Sequence, residues 1–172
     1  MEFLSINFSP KILSLLISRK DFLELELIFR FLFALSVIQF FLQKYFNFRF
    51  SKLVLYFIKN FKFNIYFNIK EIHVTDLELF ISDLDTMIKK YLNSLFLVSS
   101  DISFILSEII DLSFNFIGLE NKNECLNICD FEIKFITIIK KLYNEIKSKN
   151  ADLMFLNALE NLLDKNFFLI NV

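Results

Sequence analysis

One glycine, one proline and no tryptophan occur in the 172 residues of this chain. With Gly118 alone, neither G-x-x-x-x-G-K nor G-x-G-x-x-G can be written, so the glycine loops that cradle phosphates are excluded. The G-x-S-x-G nucleophile elbow is excluded for the same reason. A single histidine, His73, excludes a His-based triad and a multi-histidine metal site within one chain. It falls just ahead of a helix cap and reads as structural or exposed. Two cysteines, Cys125 and Cys129, are too few for a secreted disulfide framework. Their C-x3-C spacing leaves zinc short of its four ligands, so free buried thiols are expected. The acids Asp83, Asp85, Asp101, Glu108 and Asp111 read as a solvated or ion-paired helix flank rather than as acid–base machinery. No catalytic, metal or cofactor-binding residue is assigned, no cofactor is expected, and the chain is read as a non-enzyme.

Acids are also unevenly missing. Residues 27–70 contain no Asp or Glu, against Arg30, Lys44, Arg49, Lys52, Lys59, Lys62 and Lys70. Residues 71–172 carry sixteen acids and nine lysines. A basic, aromatic middle suits a lipid headgroup layer, an RNA surface or an acidic partner, including the chain's own acidic half.

What is abundant is apolar. Hydrophobic residues make up 55% of the chain, and 25 residues are phenylalanine, which is far from disordered composition and greasy for a soluble monomer. Alanine is confined to Ala34, Ala151 and Ala158, and arginine to Arg19, Arg30 and Arg49. Residues with A/T-rich codons crowd out the rest, which points to a strongly A+T-biased genome such as that of an organelle, endosymbiont, parasite or large virus. On that reading much of the phenylalanine carries no functional meaning.

The strongest pattern is a heptad seam: Leu77, Ile81, Leu84, Ile88, Tyr91, Leu95, Val98, Ile102, Ile105, Ile109, Leu112, Phe116 and Leu119. Alternating steps of four and three lay these on one side of a helix, as a face that must be buried. Thr75 and Glu78 form a capping box, with Val74 and Leu79 as its hydrophobic staple, and Gly118 is expected as a left-handed C-cap. Ser99-Ser100-Asp101 offers a second cap, but the seam keeps phase across it. One helix over about 76–117, roughly 60 Å long, is therefore expected.

Elsewhere, Ser9-Pro10 reads as the start of a helical stretch over 10–44, with a break near Arg19-Lys20-Asp21. Within it Phe31–Leu42 is uncharged. The segment 27–44 reads either as a membrane span or as a buried or interfacial helix, with Arg30 paired to Glu26. It starts too late for a secretory signal. Phe46, Phe48 and Phe50, then Phe61, Phe63, Ile65, Phe67 and Ile69, alternate with polar residues. That period of two predicts a minor antiparallel β element at about 46–69. Phe131, Phe135, Ile138, Ile139, Leu142 and Ile146 predict a helix with an exposed Glu145–Lys149 pair. Asn150 then caps a last helix bearing Phe155, Leu156, Leu159, Leu162 and Leu163.

The expected fold is mainly α, a single domain over 1–172, with a long central helix, shorter packed helices and a minor sheet. The expected function is a non-catalytic structural or accessory subunit of a larger, membrane-associated organellar complex, of respiratory-chain or ATP-synthase type. The seam would pack on other protein subunits, and Phe31–Leu42 would contact the membrane. Mitochondrial or other organellar membrane is the expected location, otherwise intracellular, and not secreted. Two alternatives stand. One is an RNA-contacting accessory protein of an organellar or reduced ribosome, using the basic surface of Arg49, Lys52, Lys59, Lys62 and Lys70. The other is a soluble helical-bundle regulator that binds a partner helix.

Overall fold

A computed structural model describes residues 18–69, 77–121, 128–149 and 153–164. The described chain is mainly helical, in six helices: α1 (Arg19–Lys44), α2 (Arg49–Ile69), α3 (Leu77–Ser94), α4 (Ser100–Asn121), α5 (Ile128–Ser148) and α6 (Leu153–Leu163). Ser18 caps α1, its hydroxyl accepting from the Asp21 amide at 3.1 Å, so a helix begins at Arg19; the expected helix start at Ser9-Pro10 lies outside the described residues. The Thr75 capping box, His73, Lys70, Cys125 and Asn150 lie outside the described residues.

The expected sheet at 46–69 is instead α2, and no strand occurs among the described residues. The same residues carry a helical stripe: Phe50, Leu53, Val54, Phe57, Ile58, Phe61 and Ile65 are buried at steps of three and four. Phenylalanine is dense enough here to satisfy both periods. No Gly or Pro turns the chain near Lys59-Asn60, and the Asn60 side-chain amide donates to the Tyr56 carbonyl one turn back. Phe63, on the apolar side of the expected alternation, is exposed, and Asn64, on its polar side, is buried.

The long helix over 76–117 is also corrected. It is divided between α3 and α4 by a turn at Leu95–Val98. The Leu97 amide donates to the Leu92 carbonyl and the Phe96 amide to the Asn93 carbonyl, both at 2.9 Å. That is a Schellman C-cap, with Phe96 in the left-handed position at φ 56° where glycine is usual. The conformation costs about 1–2 kcal/mol for an L-residue. It is offset by burial of the Phe96 ring, stacked on Phe155 at 5.7 Å and near Phe61 at 6.3 Å. Gly118 is no C-cap: it lies inside α4 without positive φ. A Cβ there meets nothing within 4 Å. Gly118→Ala is therefore expected to raise unfolding stability by about 0.5–1 kcal/mol, measured as a shifted urea midpoint at constant slope.

Helix α2 is central, packing on α1, α3, α5 and α6. Helix α1 also packs on α3 and α4, and α5 on α4 and α6. The core is aromatic. Phe116 of α4 meets Phe50 at 4.7 Å, Phe131 at 5.4 Å and Phe48 at 5.9 Å. Phe57 joins that group, through Phe135 at 6.3 Å, to a second one of Phe61, Phe96 and Phe155. In α5 and α6 the expected faces are the buried ones: Phe135, Ile139, Leu142 and Ile146, then Phe155, Leu156, Leu159 and Leu162. Lys149 differs from expectation, reaching Asp101 at 3.8 Å and the Ser99 hydroxyl.

Candidate functional site

The heptad seam lies largely inside the bundle. Leu84, Ile88, Leu95, Ile102, Ile105, Ile109, Leu112 and Phe116 are buried, and Tyr91 and Leu119 half-buried. Val98, in the turn between helices, is exposed. Leu77 and Ile81 lie on α3, but their side chains are outside the description. The seam's apolar area is spent on this chain's own neighbours.

Among the described residues, the largest group of exposed apolar side chains on one helix is on α1. Ile28, Leu35, Ile38 and Leu42 face the core. On the opposite side Phe22, Phe29, Phe33 and Phe40 stand out, 41, 48, 38 and 60% exposed. They share a heptad line with exposed Ser36. Phe29 and Phe33 stack at 6.0 Å, and Leu23 and Leu27 are exposed on another side of the helix, beyond Glu26 and Arg30. Arg30 is ion-paired with Glu26 one turn before it, as expected.

Among the described residues two helices, Arg19–Lys44 and Ser100–Glu120, are long and apolar enough to cross a membrane. Their outer faces differ. That of α4 carries Asp101, Ser107, Asp111 and Asn115, with Phe104 the large apolar exception. Such a helix is apolar because it lines a core. The outer face of α1 carries the phenylalanine line, interrupted by Ser36 and flanked by Arg30.

The basic residues do not act as one set. Arg49 reaches Glu132 of the acidic half at 3.8 Å, beside an open groove of about 330 Å³ between α2 and α5. Lys52 covers the Phe46 ring at 5.4 Å. Lys62 donates to Gln39 Oε1 at 2.7 Å and to the Ser36 hydroxyl at 3.2 Å, both on α1. Lys59 is exposed. Burial holds the Lys62 ammonium below its ordinary pKa. A lysine lowered in the fold binds fewer protons there than in the unfolded chain. Its penalty is complete below the folded pKa and is relieved as pH climbs from that value past 10.5. The chain should therefore gain stability on a Lys62→Gln variant between pH 7 and pH 10.5, read as the difference in urea midpoints; tyrosine ionisation cancels in that difference.

The acids are spent on the surface. Asp85 pairs with Lys89, Glu108 with Lys141 at 3.6 Å and Asp101 with Lys149. The Asp85 carboxylate beside it holds Lys89 above its ordinary pKa. Cys129 is exposed, against the expectation of a buried thiol. Among the described residues no three His, Cys, Asp or Glu side chains gather as a metal set. Sequence reasoning placed the apolar run Phe31–Leu42 but missed its outward line. The signal was present as Phe22, Phe29, Phe33 and Phe40, at steps of seven, four and seven. No family model, curated protein or solved structure matches the chain.

Proposed function

We propose that the chain is a non-catalytic structural subunit of a larger, membrane-associated assembly. The observation that carries this is the outward phenylalanine line of α1, on a helix whose inner face is already consumed by the bundle. Exposed aromatic rings in such a line mark an interaction surface, since a free monomer gains nothing by leaving them in water. The seam then builds the particle, and α1 attaches it. The A/T-rich codon bias supports an organellar membrane, with a respiratory or ATP-synthase type complex as host. The test is to isolate the tagged native protein in mild detergent and identify what comigrates on a native gel. Comigration with a large membrane complex is expected. A lone 20.6-kDa particle, soluble without detergent, overturns the proposal and favours the soluble regulator.

An RNA-contacting role is the second reading, favoured by exposed Lys59, Phe63 and Tyr66 on one side of α2, where rings and cations alternate as in base-stacking surfaces. The engagement of Arg49 with Glu132 and of Lys62 with Gln39 weighs against it. Comigration with ribosomal RNA would promote it.

A further inference from the structure

We infer that the α1–α2 face binds the surface of an anionic bilayer, with α1 lying in the membrane plane rather than crossing it. The inference rests on the membrane-associated reading above and names what the α1 face meets. Phe22, Phe29, Phe33 and Phe40 form one line along α1, and the opposite line is locked into the core, so the helix offers lipid a single stripe. A stripe of that kind suits the acyl–headgroup boundary, where one side of a helix is buried about 5–10 Å deep.

Charge chooses the lipid. The acids of α1, Asp21, Glu24 and Glu26, lie in its first turns, with Glu24 paired to Lys20 and Glu26 to Arg30, and from residue 27 to 70 there is no acid. Lys44 lies 5.1 Å from the Phe40 ring centroid and 5.2 Å from that of Phe41, an ammonium at the edge of the apolar stripe. Lys59 and Tyr66 are exposed on neighbouring α2. Cations and aromatic rings side by side are the composition of a headgroup-facing surface, and the cations favour anionic lipid.

Lys62 decides the orientation. Its ammonium reaches Ser36 and Gln39, at the middle of the uncharged run Phe31–Leu42, and Ser36 belongs to the outward line itself. If α1 crossed a bilayer, Lys62 would sit near the midplane, the costliest depth for an ammonium. With α1 in the plane, the same lysine lies at the phosphate layer and its long chain covers apolar surface.

The absence of tryptophan makes the test clean. Full-length chains carrying Phe22→Trp, Phe29→Trp or Phe40→Trp, all at exposed positions, are mixed with vesicles. The vesicles are phosphatidylcholine alone, or phosphatidylcholine with about one third phosphatidylglycerol. Binding is read from the fluorescence shift, and depth from quenching by lipids brominated at defined positions. Expected is binding about tenfold or more tighter to the anionic vesicles, weakened by salt, with all three tryptophans at one shallow depth. Lys59→Gln should weaken anionic binding about fivefold. A Phe29→Ser/Phe40→Ser pair should weaken it about tenfold or more with helicity unchanged. Unequal depths, with position 40 deepest and position 22 shallowest, would mean that α1 crosses, and would overturn the in-plane inference; positions 22 and 40 lie about 27 Å apart along the axis. No binding to either vesicle, with the native protein still comigrating with a membrane complex, would overturn lipid as the occupant, leave the stripe to another subunit, and spare the function proposed above. No binding together with a lone soluble particle would overturn both.

Discussion

Phe116→Ala is expected to remove about 3–5 kcal/mol of folding stability, a loss at the top of the range for truncation in a core. Phe116 is fully buried. Its ring meets Phe50, Phe48, Phe131 and Tyr45 at centroid distances of 4.7, 5.9, 5.4 and 6.4 Å. These partners come from α2, from α5 and from the turn between α1 and α2, so one ring ties three parts of the chain to α4. Deleting it forfeits the transfer free energy of a phenyl group and leaves a cavity. The surrounding rings cannot close that cavity, because each is held in place by others. Several edge-to-face contacts are lost as well. Against a total of about 5–15 kcal/mol, the variant should be marginal at 25 °C and unfold at much lower urea. The exposed Phe104, on the same helix, provides the control. Phe104→Ala should change stability by no more than about 0.5 kcal/mol.

This contrast revises how the phenylalanine content is read. Phenylalanine is abundant, but Phe50, Phe57, Phe61, Phe116, Phe135 and Phe155 are all buried side chains of one aromatic core. Whatever supplies the residue, packing decides which copies matter. The same abundance misdirects the periodic reading. In α5 and α6, charged and apolar residues separate cleanly, and the buried face is legible from spacing alone. In α2 phenylalanine occupies so many positions that steps of two and steps of three and four coexist. The helix wins because it buries Phe57 and Phe61 on one side and leaves Lys59 and Tyr66 on the other.

The long helix fails for a different reason. Heptad phase reports which residues share an apolar environment, and residues on both sides of a sharp turn can share one core. Leu95 and Ile102 are both buried, although a Schellman cap with Phe96 at positive φ stands between them. No glycine marks that turn. Only the ring packing of Phe96 on Phe155 and Phe61 makes it tolerable, and this contact is invisible to local sequence. The outward line of α1 was legible in spacing. What spacing alone does not show is that the opposite line is already occupied by the core, which leaves the phenylalanine line as the exposed side of α1.

Ile109→Asp separates the two uses to which the seam can be put. If the seam were an external docking face, a carboxylate at Ile109 would leave the monomer folded and abolish only its assembly. The structure buries Ile109 to 1% exposure inside the chain's own core. A carboxylate there has to be desolvated, or protonated against its ordinary pKa, and either route costs several kcal/mol in addition to the lost apolar burial. That sum is comparable to the whole stability of a small protein. The isolated variant is therefore expected to lose its cooperative thermal transition and most of its helical circular dichroism at pH 7. Phe40→Asp, on the exposed line of α1, should keep both and lose membrane attachment instead. A folded Ile109→Asp monomer that fails only to assemble would return the seam to the partner interface and remove α1 from that role. Because the two substitutions introduce the same charge, the difference between them reports where each helix face points in the working protein.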